Sequence, residues 1–88
     1  WLDVPATLWA EMNGLARRTG DAQMAAFSPT RIGLIVAGLE VPHCHLHVLP
    51  IESESDLDFA RADGSASAES LDAAAQAIRE HLDGAAPA

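Results

Sequence analysis

The order of apolar and polar residues along the chain predicts a helix, two strands and a second helix. Between Pro5 and Phe27, apolar or small residues recur at spacings of three and four, which is one stripe of an amphipathic helix: Leu8, Met12, Leu15, Thr19, Ala22 and Ala26. Asp3 precedes this helix, and Pro5 suits its first helical position. The stretch FSPT, which closes at Thr30, predicts its end.

Two apolar segments follow that predict a pair of strands. RIGLIVA (31–37) is a β-rich run of the kind found in buried strands. VPHCHLHVLP (41–50) predicts a second strand with Pro42 and Pro50 near its ends, where a missing N–H is tolerated. Because GLE (38–40) indicates a tight connection, we expect the two strands to form an antiparallel hairpin.

The rest of the chain predicts a polar loop and one more helix. The loop begins with an acidic cluster that we expect to be solvated: Glu52, Glu54, Asp56 and Asp58. Ser67 is a candidate N-cap, and Glu69 lies in the first turn, where the helix dipole favours an acid. Apolar residues then recur at helical spacing as far as Gly84: Leu71, Ala74, Ala75, Ile78 and Leu82.

These elements predict one α+β domain with a small antiparallel sheet and flanking helices. The domain would cover residues 1–83, with a flexible tail at residues 84–88. Two strands alone rarely make a stable sheet, since roughly three or more are needed. The chain also opens on Trp1 and enters its first helix almost at once. We therefore expect that strands of the complete domain lie upstream of Trp1.

Charge and cysteine content limit the classes of partner. Thirteen acids oppose five arginines, without any lysine, and the formal net charge is −8. This balance argues against a nucleic-acid backbone as partner, because such binding needs basic residues to release counterions. No apolar run approaches ~18 residues, and no signal peptide is recognisable, so we expect no membrane partner. The single cysteine, Cys44, cannot form an intramolecular disulfide, which favours a cytoplasmic location.

The second predicted strand carries the residues with the most specific chemistry. Successive side chains of a strand point to opposite faces, so one face is expected to carry His43, His45, His47 and Leu49. The other face would carry Cys44, Leu46 and Val48. The apolar face suits packing against a helix, and the imidazoles then face a cleft or solvent. On this basis Cys44 is a small buried hydrophobe without chemistry.

Three explanations of the histidine row are open. A half-exposed strand with incidental polar residues explains it poorly, because a row of imidazoles packs badly. Two histidines at i and i+2 can share a zinc, copper or iron ion. Further ligands for such an ion would have to come from acids or from His81. Without a metal, we expect His81 at the surface of the second helix. A neutral imidazole can instead attack phosphorus and carry a nucleotidyl group, while its neighbours move protons near pH 7.

The segment HCHLHVL (43–49) resembles the His-x-His-x-His-x-x signature of the histidine triad family. The EVPH that contains its first histidine and the proline that follows HVL are similar to the usual context of that signature. The preceding helix and apolar strand also resemble the second half of the family's domain. The resemblance covers about residues 1–51. The family's first half, a strand hairpin that holds the base and the ribose, has no counterpart in this sequence.

The resemblance implies a histidine-triad-like fold, often a homodimer, whose partner is a nucleotide-type small molecule. It implies a hydrolase or transferase that acts at the α-phosphate of a nucleoside phosphoramidate or a dinucleoside polyphosphate. His45 would be the nucleophile, His43 would orient it partly through a backbone carbonyl, and His47 would contact the phosphate. The leaving group would be an amine, a phosphate chain or a sugar phosphate, and the chemistry would need no metal or other cofactor.

Three positions depart from the family pattern and are candidate substrate contacts. Leu39 stands where many members have glutamine, and Ile35 lies nearest to the place where many have asparagine. Glu40 stands where some branches have a hydroxyl that assists the leaving group. Arg31 is a further candidate partner for a phosphate. The missing polar groups leave a second function open, a nucleotide-binding module with little turnover. A strand-based metal site is a third.

Overall fold

Helices and strands appear in the predicted order in the computed structural model, which describes residues 1–38 and 43–84, with side chains as far as residue 82. The domain is α+β, with a two-stranded antiparallel sheet and two α-helices: α1 (Ala6–Phe27), β1 (Arg31–Ala37), β2 (His45–Ile51) and α2 (Ala68–Gly84). Two short 3₁₀ helices lie between β2 and α2, at Glu54–Leu57 and Phe59–Arg61. Residues 54–61 are called the 3₁₀ segment below. The predicted tail beyond Gly84 lies outside the described residues.

Helix α1 begins one residue later than predicted and ends where the sequence indicates. Pro5 is the N-cap and not the first helical residue, because its ψ of 141° is extended. At the other end Ser28 adopts the left-handed conformation, with φ 49° and ψ 47°, and its N–H donates to the carbonyl of Met24 at 3.0 Å. This cap closes the helix and turns the chain into β1 within three residues.

The two strands pair antiparallel, as predicted, but the boundaries of β2 differ from the expected ones. The register places Ile35 opposite His47 and Ala37 opposite His45. Strand β2 starts at His45, two residues after His43, and it runs through Pro50. Proline is tolerated there because β2 is an edge strand of this sheet. The expected tight connection at GLE (38–40) lies mostly outside the described residues.

Helix α1 covers one face of the sheet. Leu46 and Val48 of β2 point to it and line a cavity together with Met12 and Leu15. Gly20 allows α1 to approach closely, since a Cβ there would lie 3.3 Å from Cγ2 of Ile32. The prediction that this face of β2 packs on a helix is therefore confirmed. Helix α2 packs in turn against α1.

The 3₁₀ segment covers part of the opposite face. A Cβ at Gly33 would lie 2.5 Å from Cδ2 of Leu57 and 3.3 Å from Cδ1 of Ile51, so glycine makes room for the Leu57 side chain. The acids of this loop lie at the surface, as expected, with Glu52, Glu54 and Asp58 exposed and Asp56 half-buried. Leu57 provides an apolar contact that holds the segment on the sheet.

A buried glutamine joins α1 to β2. Gln23 is 6% exposed, and its Nε2 donates to the backbone carbonyl of Val48 at 2.9 Å. Its Oε1 has no hydrogen-bond partner within the described residues. An unsatisfied buried acceptor costs about 1–3 kcal/mol, so part of the benefit of the Nε2 bond is offset.

The apolar core is small, and β1 is less buried than its sequence predicts. Among the described residues, Ala22 and Ile51 are the buried apolar side chains. Leu34 is 51% exposed and Val36 is 38% exposed, because α1 lies mainly over β2. Cys44 is half-buried and lies just outside β2, so it is less enclosed than predicted. No helix in the described part of the chain is long and apolar enough to cross a lipid bilayer.

The exposed side of β1 should make the 88-residue chain associate with itself. Leu34 and Val36 lie on an edge strand whose backbone groups remain available for pairing. We expect the urea midpoint of unfolding to rise with protein concentration. A Leu34→Thr, Val36→Thr double variant should lower the association constant by about tenfold or more, since it removes apolar area and places β-branched residues, which suit a strand, at both positions.

Sedimentation velocity at several concentrations measures this association. Leu71→Gln is the matched control, because Leu71 is 59% exposed on α2, away from the sheet. Cooperative, concentration-independent unfolding of a dilute monomer would contradict the prediction.

Candidate active site

The imidazoles of His43, His45 and His47 lie in one row along the sheet. The ring centroids of His43 and His45 are 4.3 Å apart, and their planes are at 89°. Those of His45 and His47 are 5.9 Å apart, at 82°. The alternating spacing therefore brings the three rings together, even though His43 precedes the first residue of β2. His43 is exposed, and the other two are half-buried.

A hydrogen bond between two rings orders one end of the row. Nε2 of His43 and Nε2 of His45 are 2.7 Å apart, so one ring carries the proton at that nitrogen and the other accepts it. This contact differs from the predicted one, in which the backbone carbonyl of His43 orients His45. That carbonyl faces Gly38, where an added Cβ would lie only 2.8 Å from the carbonyl oxygen.

The other end of the row contacts an aromatic side chain. The ring of Phe59 lies 5.0 Å from the ring of His47 at an interplanar angle of 68°, which is an edge-to-face arrangement. Ile35 lies directly across the sheet from His47. Phe59 and Ile35 therefore restrict the positions that the His47 ring can adopt.

Aspartates hold the 3₁₀ segment in place. Oδ2 of Asp56 accepts hydrogen bonds from the backbone N–H groups of Glu52, at 2.9 Å, and Ser53, at 3.2 Å. These bonds, with a smaller contribution from the Arg61 charge, hold the pKa of Asp56 below its ordinary value of 3.8. Asp58 accepts from the N–H of Ala60 at 2.9 Å and caps the second 3₁₀ helix.

The sequence contains a signal for this segment that the prediction missed. Ser53 and Asp56 form a capping box, and their spacing is the one that marks the start of a helix. Leu57 and Phe59 are the apolar residues of an otherwise acidic stretch. Both contact the sheet side of the site, Leu57 at Gly33 and Phe59 at His47.

A cavity of about 460 Å³ lies between the 3₁₀ segment and β2. On the sheet side it is lined by Ile35, His47 and Leu49. The 3₁₀ segment contributes both apolar and charged side chains: Asp56, Leu57, Asp58, Phe59 and Arg61. The cavity therefore lies beside the third imidazole, with a cation and two acids on its outer wall.

The predicted contact residues fall in different places. Ile35 lines the cavity next to His47. Arg31 pairs with Ile51 at the opposite end of β1, about 20 Å from Ala37 at the ordinary rise of a strand, and its Nη1 donates to the carbonyl of Thr30. Arg31 is about 13 Å from Ile35, the residue opposite His47, at the same rise, and it does not line the cavity beside His47. Leu39 and Glu40 lie outside the described residues.

The second explanation of the histidine row was a metal site, which requires further ligands close to the imidazoles. Within residues 1–38 and 43–84, no group of three or more His, Cys, Asp or Glu side chains is arranged to hold a metal ion. His81, which offered a further ligand, is exposed on α2.

No protein-family model matches the chain. The chemistry of the site therefore has to be inferred from its residues and their arrangement.

The low pKa of Asp56 predicts that acid releases the 3₁₀ segment. Because the pKa is lower in the folded state than in the unfolded state, this carboxylate contributes stability above about pH 4. That contribution is lost as the pH falls from the ordinary value through the folded pKa. We expect the NMR contact between the His47 and Phe59 rings to weaken over this range, before α1 unfolds.

Asp56→Asn should weaken the same ring contact at neutral pH and reduce its acid dependence. Asp72→Asn, at an exposed position of α2, is the control and should leave both unchanged. Identical ring contacts in the Asp56→Asn protein and the parent protein would show that this carboxylate does not hold the segment.

Proposed function

We propose that this chain carries the catalytic strand of a histidine triad domain. In this proposal the protein is a nucleotide hydrolase or transferase that acts at the α-phosphate of a nucleoside phosphoramidate or a dinucleoside polyphosphate. The observation that carries it is the row of three imidazoles, with ring centroids 4.3 and 5.9 Å apart, of which His47 lines a cavity. His45, the middle residue, is the nucleophile.

The hydrogen bond between His43 and His45 supports this assignment. In the tautomer in which Nε2–H of His43 donates, Nε2 of His45 carries a lone pair, and its Nδ1 carries the proton. Substrate entry displaces the bond, so the lone pair becomes available to attack phosphorus. The released N–H of His43 then lies beside the reacting group, and it serves as a general acid when Nδ1 of the same ring is also protonated.

The first step forms a covalent intermediate. Nε2 of His45 attacks the α-phosphorus, and the bond from phosphorus to the leaving nitrogen or oxygen breaks. The leaving group takes the bonding electron pair and a proton from the imidazolium of His43, which becomes a neutral imidazole. His45 is then a nucleotidyl imidazolium, which is a good leaving group.

The second step regenerates the enzyme. A water molecule, or the hydroxyl of an acceptor in a transferase, attacks the same phosphorus atom. The bond from phosphorus to Nε2 breaks, and its electron pair returns to His45. The proton of the attacking water returns to His43. The nucleotide leaves, His45 is again neutral, and His43 is again protonated and ready to act as an acid.

Ile35 favours a second candidate function. It lies opposite His47 and lines the cavity with an apolar side chain. A hydrogen-bonding group at this place would stabilise ribose or phosphate, so its absence favours a nucleotide-binding module with little turnover. In either case the ligand is a nucleotide-type small molecule. We propose a homodimer, which the open strand edges and the exposed Leu34 and Val36 support.

The nucleophile can be tested by substitution at His45. His45→Ala should lower kcat for a nucleoside 5′-phosphoramidate by about three orders of magnitude or more, because no other group replaces the covalent step. The parent protein, quenched in acid during turnover, should gain the mass of one nucleotidyl group on His45.

His81→Ala is the control, because His81 is exposed on α2 and takes no part in the proposed chemistry. Near-normal turnover by His45→Ala would overturn the enzymatic proposal. Nucleotide binding by the parent protein without turnover would favour the binding module.

The proposed chemistry requires no metal. We therefore expect turnover to survive exhaustive chelation, with kcat/KM changed by less than about twofold. The three imidazoles act as nucleophile, acid and phosphate contact, and they leave no role for a Lewis acid in either step. Loss of activity on chelation, with recovery on addition of one equivalent of zinc, would replace this mechanism by a metal-dependent one.

A further inference from the structure

We propose that Arg61 binds the substrate phosphoryl group in the cavity beside His47, and that the acids on the same wall restrict the site to one phosphoryl group of low charge. This inference rests on the proposed function and narrows its substrate class. It favours a nucleoside phosphoramidate over a dinucleoside polyphosphate.

The position of Arg61 distinguishes it from the other arginines of the chain. Arg61 lines the cavity together with His47. Arg31 lies at the far end of β1, Arg17 pairs with Asp21 on α1 at 3.5 Å, and Arg18 is exposed on the same helix. Arg79 lies on α2 and donates to Gln76. Arg61 is thus the cation that meets a phosphate beside the third imidazole.

Ser55 and Asp56 orient the guanidinium of Arg61 and leave most of its donors free. Nη1 donates to Oγ of Ser55 at 2.7 Å. Nη2 is 3.8 Å from Oδ1 of Asp56, which is beyond hydrogen-bond distance. A guanidinium has five N–H donors, so several remain for a phosphate oxygen. Its side chain is 56% exposed, which makes these donors accessible from the cavity mouth.

The charge of the outer wall sets a limit on the ligand. Asp56 and Asp58 contribute two negative charges, and Arg61 contributes one positive charge. A ligand with a single negative charge gains the contact with Arg61 and meets modest repulsion. Each further charge of a polyphosphate chain adds repulsion from carboxylates that lie well within the screening length of about 8–10 Å.

Arg61→Gln tests the phosphate contact. We expect the Kd for AMP and the KM for a nucleoside 5′-phosphoramidate to rise about tenfold or more, which is the size of one lost hydrogen bond to a charged group. The value of kcat should change by less than about threefold, because Arg61 does not carry the covalent step.

Arg79→Gln is the matched control for Arg61→Gln, since it removes the same charge from an exposed helix. Arg61→Lys keeps the charge without the planar fork and should recover part of the affinity. If the Kd for AMP and the KM of Arg61→Gln both stay within twofold of those of Arg79→Gln, the proposal that Arg61 binds the phosphate is wrong. Circular dichroism checks that each variant is folded. If Arg61→Gln is not folded, Arg61→Lys is the test. Values of Kd and KM equal to those of the parent protein in Arg61→Lys would overturn the proposal that the planar guanidinium binds the phosphate.

Asp58→Asn tests the restriction on charge. Asparagine can still accept from the N–H of Ala60, so the cap on the second 3₁₀ helix remains. The ratio of kcat/KM for a dinucleoside triphosphate to that for the phosphoramidate should rise about threefold to tenfold. Asp63→Asn is the control. Oδ1 of Asp63 accepts from the backbone N–H of Ser65 at 2.9 Å, as Asp58 does from Ala60, but Asp63 does not line the cavity.

The outcomes separate this inference from the proposed function. An unchanged ratio in Asp58→Asn would overturn the substrate restriction while His45 remains the nucleophile. Loss of AMP binding in Arg61→Gln, combined with full turnover in His45→Ala, would support the phosphate site and reject the covalent mechanism.

Discussion

The candidate site depends on the pairing of β2 with β1 in a single register. In this register Ala37 lies opposite His45 and Ile35 lies opposite His47, so the imidazoles occupy the face away from α1. A slip by one residue would turn the imidazoles of β2 toward the helix and expose Leu46 and Val48. The bond from Gln23 to the carbonyl of Val48 opposes such a slip from one side of the sheet. On the other side, Leu57 packs over Gly33.

The site also illustrates why net charge is a poor guide to local binding. The chain has a net charge of −8, which counts against an extended polyanion as partner. One small phosphate ester needs only a few donors at close range. In the proposed site, three imidazoles and one arginine would supply them, and Ser55 holds the arginine in position at 2.7 Å. Beyond about 8–10 Å the remaining acids are screened at ordinary salt, so the nearest carboxylates, Asp56 and Asp58, dominate the local field.

The periodic spacing of residues predicted the helices and the histidine row, but it missed the 3₁₀ helices, which are held by short-range hydrogen bonds. The spacing of two brings His43, His45 and His47 into one row, and the stripe of α1 predicts that helix almost to the residue. The 3₁₀ helix at Phe59–Arg61 is only three residues long, so it has no periodic pattern of apolar residues. It is held instead by a local hydrogen bond from the backbone N–H of Ala60 to the side chain of Asp58. The partial exposure of Leu34 was also unpredictable from β1 itself, since it depends on where α1 lies.

The two residues that the sequence pattern missed are coupled to each other. Phe59 and Arg61 belong to one 3₁₀ helix, which Asp58 caps from its N-terminal side. Phe59 restrains His47 at one end of this helix, and Arg61 faces the cavity at the other. A ligand that binds only when this helix is in place stabilises it by RT ln(1 + [L]/Kd). By the same linkage, the proposed phosphate contact at Arg61 would strengthen the contact that orients the third imidazole. Substrate binding would thus order the catalytic row through the segment whose acidic composition had indicated a solvated loop.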